Sequence, residues 1–391
     1  MNLFNYLMAK KGHNTSVRDD LLAYLLGKRT PKEVKTATGT TISITDATRE
    51  KIVSLTLSKE STQDGTPTPE NPVEVKTVKG YRNLFDKDNA NIINAYIDTN
   101  GNILSASNGK SLYINCKPNT TYTVSRTAGT RFRIIDTNVL PGVGVIGNNF
   151  VGVDTSTSLS ITTSNNANYL CVNYFNRNTD GNIEQQILDS IMIVEGEEEL
   201  PYIAYNNNAI AVRVSDGTTT QKYGIPLNNN EIVGIGDYKD ELIVDKNGKC
   251  WLNKKIEKKL FTNSDTFVEQ YSSSSRTGFW TLISGIKPIS ISNEIPNLLS
   301  TKFISVSMNT TWKPGNMSMV TYEGNLNKVF FFLEANKTVD DIKNVLVNQP
   351  IYYPLATPQS IDLNYTVDLT LFEGVNNISN SDDIDMTLKY Y

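Results

Sequence analysis

One histidine, His13, serves all 391 residues, and cysteine appears only at Cys116, Cys171 and Cys250. A Ser-His-Asp or Cys-His device would have to use His13, and nothing near it supports that role. Histidine-based metal catalysis is excluded by count. Three widely spaced cysteines supply neither a disulfide framework nor the close Cys/His spacing of a zinc site, so they read as buried free thiols. No run of about 18 apolar residues occurs, so no helical membrane span is expected. The opening MNLFNYLMAKKGHN lacks an unbroken apolar core of signal-peptide length and a small-residue cleavage site. The expectation is therefore folding in a cytoplasm without secretion. Charge is sparse as well. There are 37 basic and 41 acidic residues, a net of −4, which offers no basic stripe for nucleic acid. Asparagine instead supplies 45 positions, giving a surface solvated by hydrogen bonds more than by charge.

What is present starts with helical periodicity. Leu3, Phe4, Leu7 and Met8 recur at helical spacing, followed by the polar break KKGHNT. Ser16-Val17-Arg18-Asp19 has capping-box spacing. Val17, Leu21, Leu22, Leu25 and Leu26 then form an apolar stripe that stops at Gly27-Lys28-Arg29. Helices this short are marginal alone, so their apolar faces need a partner surface. That partner is either the chain's own β domain or another subunit.

From residue 36 the periodicity becomes two. Ile42 and Ile44, then Val53, Leu55 and Leu57, predict a β module. The strap STQDGTPTPENPVEV at 61–75 carries Pro67, Pro69 and Pro72. Proline fixes φ and pushes the preceding residue to extended geometry, so the strap reads as a semi-rigid spacer or a surface loop. Residues 81–205 hold short alternating runs (YINC, TYTVS, RFRII, SLSITT, YLCVNYF, SIMIVEG) separated by polar turns, the pattern of one sandwich or jelly roll. Asp216-Gly217 and Asn247-Gly248 mark hairpin turns in a further β-rich region, 206–391. One helix near 339–348 interrupts that region, with Thr338 and Asp341 at capping-box spacing and Pro350 past its end.

Several patterns with chemical precedent fail on context. Gly142-Val143-Gly144-Val145-Ile146-Gly147 is formally GxGxxG, but a dinucleotide site needs a helix after it, and none is predicted. Asp237, Asp240, Glu241 and Asp245, and Asp382, Asp383 and Asp385, could offer the paired carboxylates of a glycosidase; turn residues close by favour solvated loops. Asp86/Asp88 and Asp98/Asn100 could offer oxygen ligands to a structural Ca²⁺, though the spacing is not that of an EF-hand. Sugar rings stack on aromatic faces while polar groups meet their hydroxyls. Tyr169, Tyr174, Arg131 and Arg133, with Trp280 and Trp312 further on, are the candidates for that chemistry, against core packing as the alternative.

The layout resembles minor structural proteins of tails and baseplates in bacteriophages of Gram-positive hosts, including receptor-binding and tail-fibre-like components. The similarity is carried by MNLFNYLMAKKGHNTSVRDDLLAYLLGK, STQDGTPTPENPVEV, GYRNLFD (80–86), IMIVEGEEELPYIAY (191–205), GIGDYKDELIVD and QPIYYPLATPQSIDL (349–363). It implies a mainly β virion protein assembled in the host cytoplasm and released by lysis. Residues 1–35 would be a helical segment that attaches to other tail proteins, 36–80 a β module with the strap, and 81–205 a carbohydrate-binding-like jelly roll. The C-terminal β region would follow. It implies a homotrimer, and a host cell-wall glycan as external partner. It implies no catalytic residue and no cofactor. A purely structural connector and a carboxylate-based wall-degrading enzyme are the competing expectations.

Overall fold

The computed structural model describes residues 32–35, 41–47, 52–288, 295–307, 310–321, 326–382 and 384–390. The proposed anchoring residues Leu3 to Leu26, and His13, lie outside them. The described chain is mainly β with short helices. It divides into two compact units. One comprises Lys79–Val212 with Lys222–Asn230; the other comprises the described residues up to Val78, Arg213–Gln221 and Glu231 onward.

In the first unit two antiparallel sheets enclose one core. A five-stranded sheet runs in the order Asn149–Val153, Phe132–Thr137, Tyr169–Asn176, Gly109–Asn115, Asn91–Ile93. A three-stranded sheet has Thr121–Ser125 between Ser158–Thr162 and Met192–Glu195. Alternation decides the contacts: Leu112, Phe132, Ile134, Val172 and Tyr174 from the larger sheet meet Tyr122, Val124, Ile161 and Ile193 from the smaller. The helix Glu184–Ser190 adds Ile187 and Leu188 to that core. The GxGxxG stretch is a loop between Phe132–Thr137 and Asn149–Val153, with Gly144 at φ +90°. A strand follows it where a phosphate site requires a helix.

The second unit is built on a seven-stranded sheet, ordered 32–35, 385–390, 52–58, 241–244, 249–260, 350–366, 299–300. Its Glu241–Val244 and Lys249–Leu260 strands form the hairpin expected at Asn247-Gly248, with Val244 opposite Cys250. Gly248 has φ +77°, and a Cβ there would lie 2.1 Å from the Val367 carbonyl oxygen, so glycine is required.

The long strands 249–260 and 350–366 pair with each other, and the chain between them makes a second sheet. Its order is Val268–Ser272, Thr277–Ser284, Leu326–Leu333, Asn316–Thr321, Ile304–Ser305. The helix Val339–Leu346 covers one face, burying Ile342 and Leu346 against Phe261, Phe279, Phe331 and Tyr353. Its capping box is complete: the Asp341 amide donates to Thr338 Oγ1, and the Thr338 amide to Asp341 Oδ2 at 2.8 Å.

The proline strap is not an extended spacer. Thr62–Gln63 pairs antiparallel with Val75–Lys76, closing the strap as a loop. Pro67 and Pro69 are buried. The loop is tied to residues 300–302: the Val73 amide donates to the Thr301 carbonyl at 2.8 Å, Gln63 Nε2 to the Ser300 carbonyl at 2.9 Å, and Lys302 Nζ to the Pro69 carbonyl at 2.6 Å. Proline lacks an N–H but keeps an exposed carbonyl and an apolar ring, and this loop uses both to dock.

Candidate functional site

The sequence-selected aromatic and arginine residues divide sharply. Tyr174 is fully buried, with its hydroxyl 3.3 Å from Glu184 Oε1, and burial pushes the phenol well above its ordinary pKa. Arg133 is 8% exposed; its Nη1 donates to the Ile97 carbonyl at 2.7 Å and its Nη2 lies 3.2 Å from Asp154 Oδ1. Tyr169 is half-buried, edge-on to Tyr113 with ring centroids 6.0 Å apart. Arg131 is exposed, at φ +51°. These four are not gathered into one surface site. Tyr174 and Arg133 are structural, because the positions carrying their side chains are closed over by the rest of the unit.

Trp280 and Trp312 are brought together. Register places Trp280 opposite Phe330 and Gly278 opposite Phe332 on adjacent antiparallel strands. Directly opposed residues project to the same side of a sheet. Phe279, Val329 and Phe331 point into the core; Trp280, Phe330 and Phe332 therefore point away from it. Trp312 arrives from the loop before Asn316–Thr321 and stacks on Phe332, centroids 4.6 Å apart and planes 25° apart. Phe330 and Phe332 lie nearly parallel at 6.5 Å. At the neighbouring strand Val268 opposes Trp280 and Tyr271 opposes Gly278. Val268, Tyr271 and Leu282 are all exposed, and both tryptophans are half-buried. The outer side of this sheet thus carries aromatic and apolar residues, with Phe330 and Phe332 buried (8% and 1% exposed) and Val268, Tyr271 and Leu282 reaching the surface.

Glycine makes the face flat. A Cβ at Gly278 would stand 2.8 Å from Phe332 Cε1, so any larger residue displaces the ring on which Trp312 stacks. Cations sit on the rings: Lys328 Nζ lies 4.2 Å from the Trp280 centroid, and the Arg276 guanidinium 5.2 Å from that of Tyr271. Trp280 Nε1, Trp312 Nε1 and Arg276 Nε are shielded donors that meet no acceptor. Phe330, Phe332 and Tyr271 were not singled out from sequence. VFFFL at 329–333 reads as a uniform apolar run, and only strand pairing separates its two faces.

Of the carboxylate clusters, Asp240, Glu241 and Asp245 are engaged in local bonds, and Asp383 lies outside the described residues. Asp240 is fully buried; Oδ1 accepts from the Lys255 and Ile256 amides at 2.7 and 2.9 Å, and Oδ2 from the Val233 amide at 3.1 Å. Burial raises its pKa to about 6 despite those donors. Glu241 pairs with Lys255 at 2.8 Å, and Asp245 accepts from the Asn247 and Lys249 amides. Asp86 and Asp98 likewise accept from the Asp88 and Asn100 amides within their own turns. No grouping of three or more potential metal ligands occurs among the described residues. Cys171 and Cys250 are buried free thiols pushed up to about 12, and Cys116 to about 11, by burial. A cavity of about 300 Å³ beside the Asn247-Gly248 turn is lined by Val244–Gly248 and Val367–Leu369, with no aromatic side chain.

Comparison of the chain with known protein families, with characterised proteins and with solved structures finds no match.

Proposed function

We propose that this chain is a non-enzymatic virion protein of a phage tail or baseplate that contacts host cell-wall glycan through the outer face carrying Trp280 and Trp312. The observation that supports this most is the shared placement of two tryptophans, Tyr271 and two phenylalanines on one sheet side, with exposed Val268 and Leu282. Sugar rings present an apolar C–H face that stacks on such surfaces. Weak single sites suffice where several copies share one particle, because avidity multiplies them. In this reading residues 1–35 join the chain to other tail proteins and to its own copies as a trimer. The local engagement of Asp240 and Glu241 speaks against those two as a wall-degrading pair.

The test is binding of the full chain to immobilised wall polysaccharide and to a glycan array, beside Trp280→Ala and Trp312→Ala. Each sugar–aromatic contact of this kind is worth on the order of 1 kcal/mol, so each variant should bind about fivefold to tenfold more weakly while unfolding cooperatively. Unchanged binding in both variants, or no binding by the parent chain, would remove this face from consideration and leave a structural connector.

A further inference from the structure

A second concave site lies in the Lys79–Val212 unit and does not rest on the glycan reading. A cleft of about 80 Å³ opens between Asp86–Asp88 and the segment Tyr202–Asn206. Its floor is apolar: Phe85, Leu188 and Ile191 are 2%, 8% and 1% exposed. At its mouth stand Tyr202 and Tyr205, 53% and 44% exposed. Both tyrosines thus differ from the fully buried Tyr122 and Tyr174 of the same unit.

The walls are held in place from beneath. Asn83 is buried and donates through Nδ2 to the Ile191 and Ile203 carbonyls at 3.1 and 3.2 Å. Its Oδ1 accepts from the Phe85 and Ile193 amides, both at 3.0 Å. Asn83 therefore joins the floor, the Tyr202 segment and the loop leading to Asp86, and has no bond left for a ligand. Asp86 is fixed in its turn, accepting from the Asp88 amide and Asn89 Nδ2 at 3.0 and 2.9 Å. Charge at the rim is unbalanced. Lys87 is matched by Asp189, their atoms 2.8 Å apart, which leaves the Asp86 and Asp88 carboxylates in excess.

We propose that this cleft binds a methylated ammonium group. A quaternary ammonium is attracted to tyrosine faces by the ring quadrupole, tolerates an apolar floor, and is drawn by an acidic rim. A sugar ring is the poorer fit, because its hydroxyls need polar partners at the floor and Asn83 is fully engaged. A simple anion is opposed by the carboxylates.

The experiment titrates the full chain with choline, followed by calorimetry and by tyrosine ring NMR signals. The neutral carbon analogue 3,3-dimethylbutan-1-ol, ethanolamine and N-acetylglucosamine are titrated in parallel. Saturable choline binding is expected, with the neutral analogue and ethanolamine each weaker by about tenfold. Tyr202→Ala and Tyr205→Ala should each weaken choline by about twofold to thirtyfold, the range of one cation–π contact. Tyr202→Phe should keep the affinity, since the ring and not the hydroxyl is used. Absence of saturable choline binding, equal binding of the neutral analogue or of ethanolamine, a preference for N-acetylglucosamine, or undiminished binding by both alanine variants overturns the proposal. Because the tyrosines are exposed, these variants keep the fold, and a matched unfolding midpoint verifies it.

Discussion

Tyr174 and Trp280 both sit mid-strand in five-stranded sheets, yet Tyr174 is fully buried and Trp280 only partly so. In the Lys79–Val212 unit a three-stranded sheet closes over the face that Tyr174 occupies. In residues 261–349 the helix Val339–Leu346 closes over the opposite parity, that of Phe279 and Phe331. Trp280 is one residue out of phase with that core. Residue type did not separate the two aromatics; which side of each sheet found a cover did. The same contrast holds for the cations. Arg126 is buried over Phe132 at 4.3 Å, donates to the Tyr174 carbonyl, and is lowered to about 10 by burial, whereas Lys328 and Arg276 lie on rings of the outer face.

The largest expected effect breaks the comparison on its buried side. Tyr174→Ala should cost about 3–5 kcal/mol, as for other large aromatics removed from a core, and lower the thermal midpoint of its own unit. If it is tolerated within about 1 kcal/mol, the two aromatics are equivalent and the contrast fails.

Acidity should then separate the units. Asp240 has a folded pKa near 6 against an ordinary 3.8, and Asp382 is also raised by burial. A raised carboxyl binds its proton more tightly when folded, so its contribution is full below about pH 4 and is lost as pH rises through about 6. Its size is on the order of 2 kcal/mol. In the Lys79–Val212 unit, Asp98 and Asp189 are lowered by side-chain hydrogen bonds from Asn102 and Lys87, so acid weakens their contribution instead. Between pH 5 and 6.5 the lowered carboxylates of both units are ionised whether folded or not, so hydrogen exchange should show the unit of Asp240 losing stability as pH rises while the Lys79–Val212 unit stays nearly level. Parallel slopes would contradict it.

Gly278→Ala sharpens the outer face. The added Cβ must displace Phe332, for a cost of about 1–3 kcal/mol and loss of Trp312 stacking, read as weaker polysaccharide binding and a shifted Trp fluorescence. Thr338→Ala removes the helix cap for about 1 kcal/mol, measured by denaturant midpoint, and should leave binding by the outer face intact. Trp280→Ala should cost less than Tyr174→Ala, because its side chain is only partly covered.

The fold was legible in proportion to how local its determinants are. The capping box at Thr338 and Asp341 and the hairpin at Asn247-Gly248 depend on residues within a few positions of one another, and both stand in the structure. The strap stayed open between spacer and loop because three prolines specify extended backbone but not what lies beneath them. The docking of Val73 on Thr301 and Pro69 on Lys302 spans more than 200 residues. The proposed site was legible in part: residue type pointed to Trp280 and Trp312, whereas Phe332, on which Trp312 stacks, lies inside an apolar run.

Sequence by itself determined the alternation of strands, the turn positions and the helix start, because period and φ preference are properties of short stretches. Only tertiary structure decided which parity of each sheet is covered, where the proline loop docks, and that Tyr202 and Tyr205 face the Asp86 turn. Those outcomes depend on pairings between distant residues, and no local preference encodes the surface that will close over a given face.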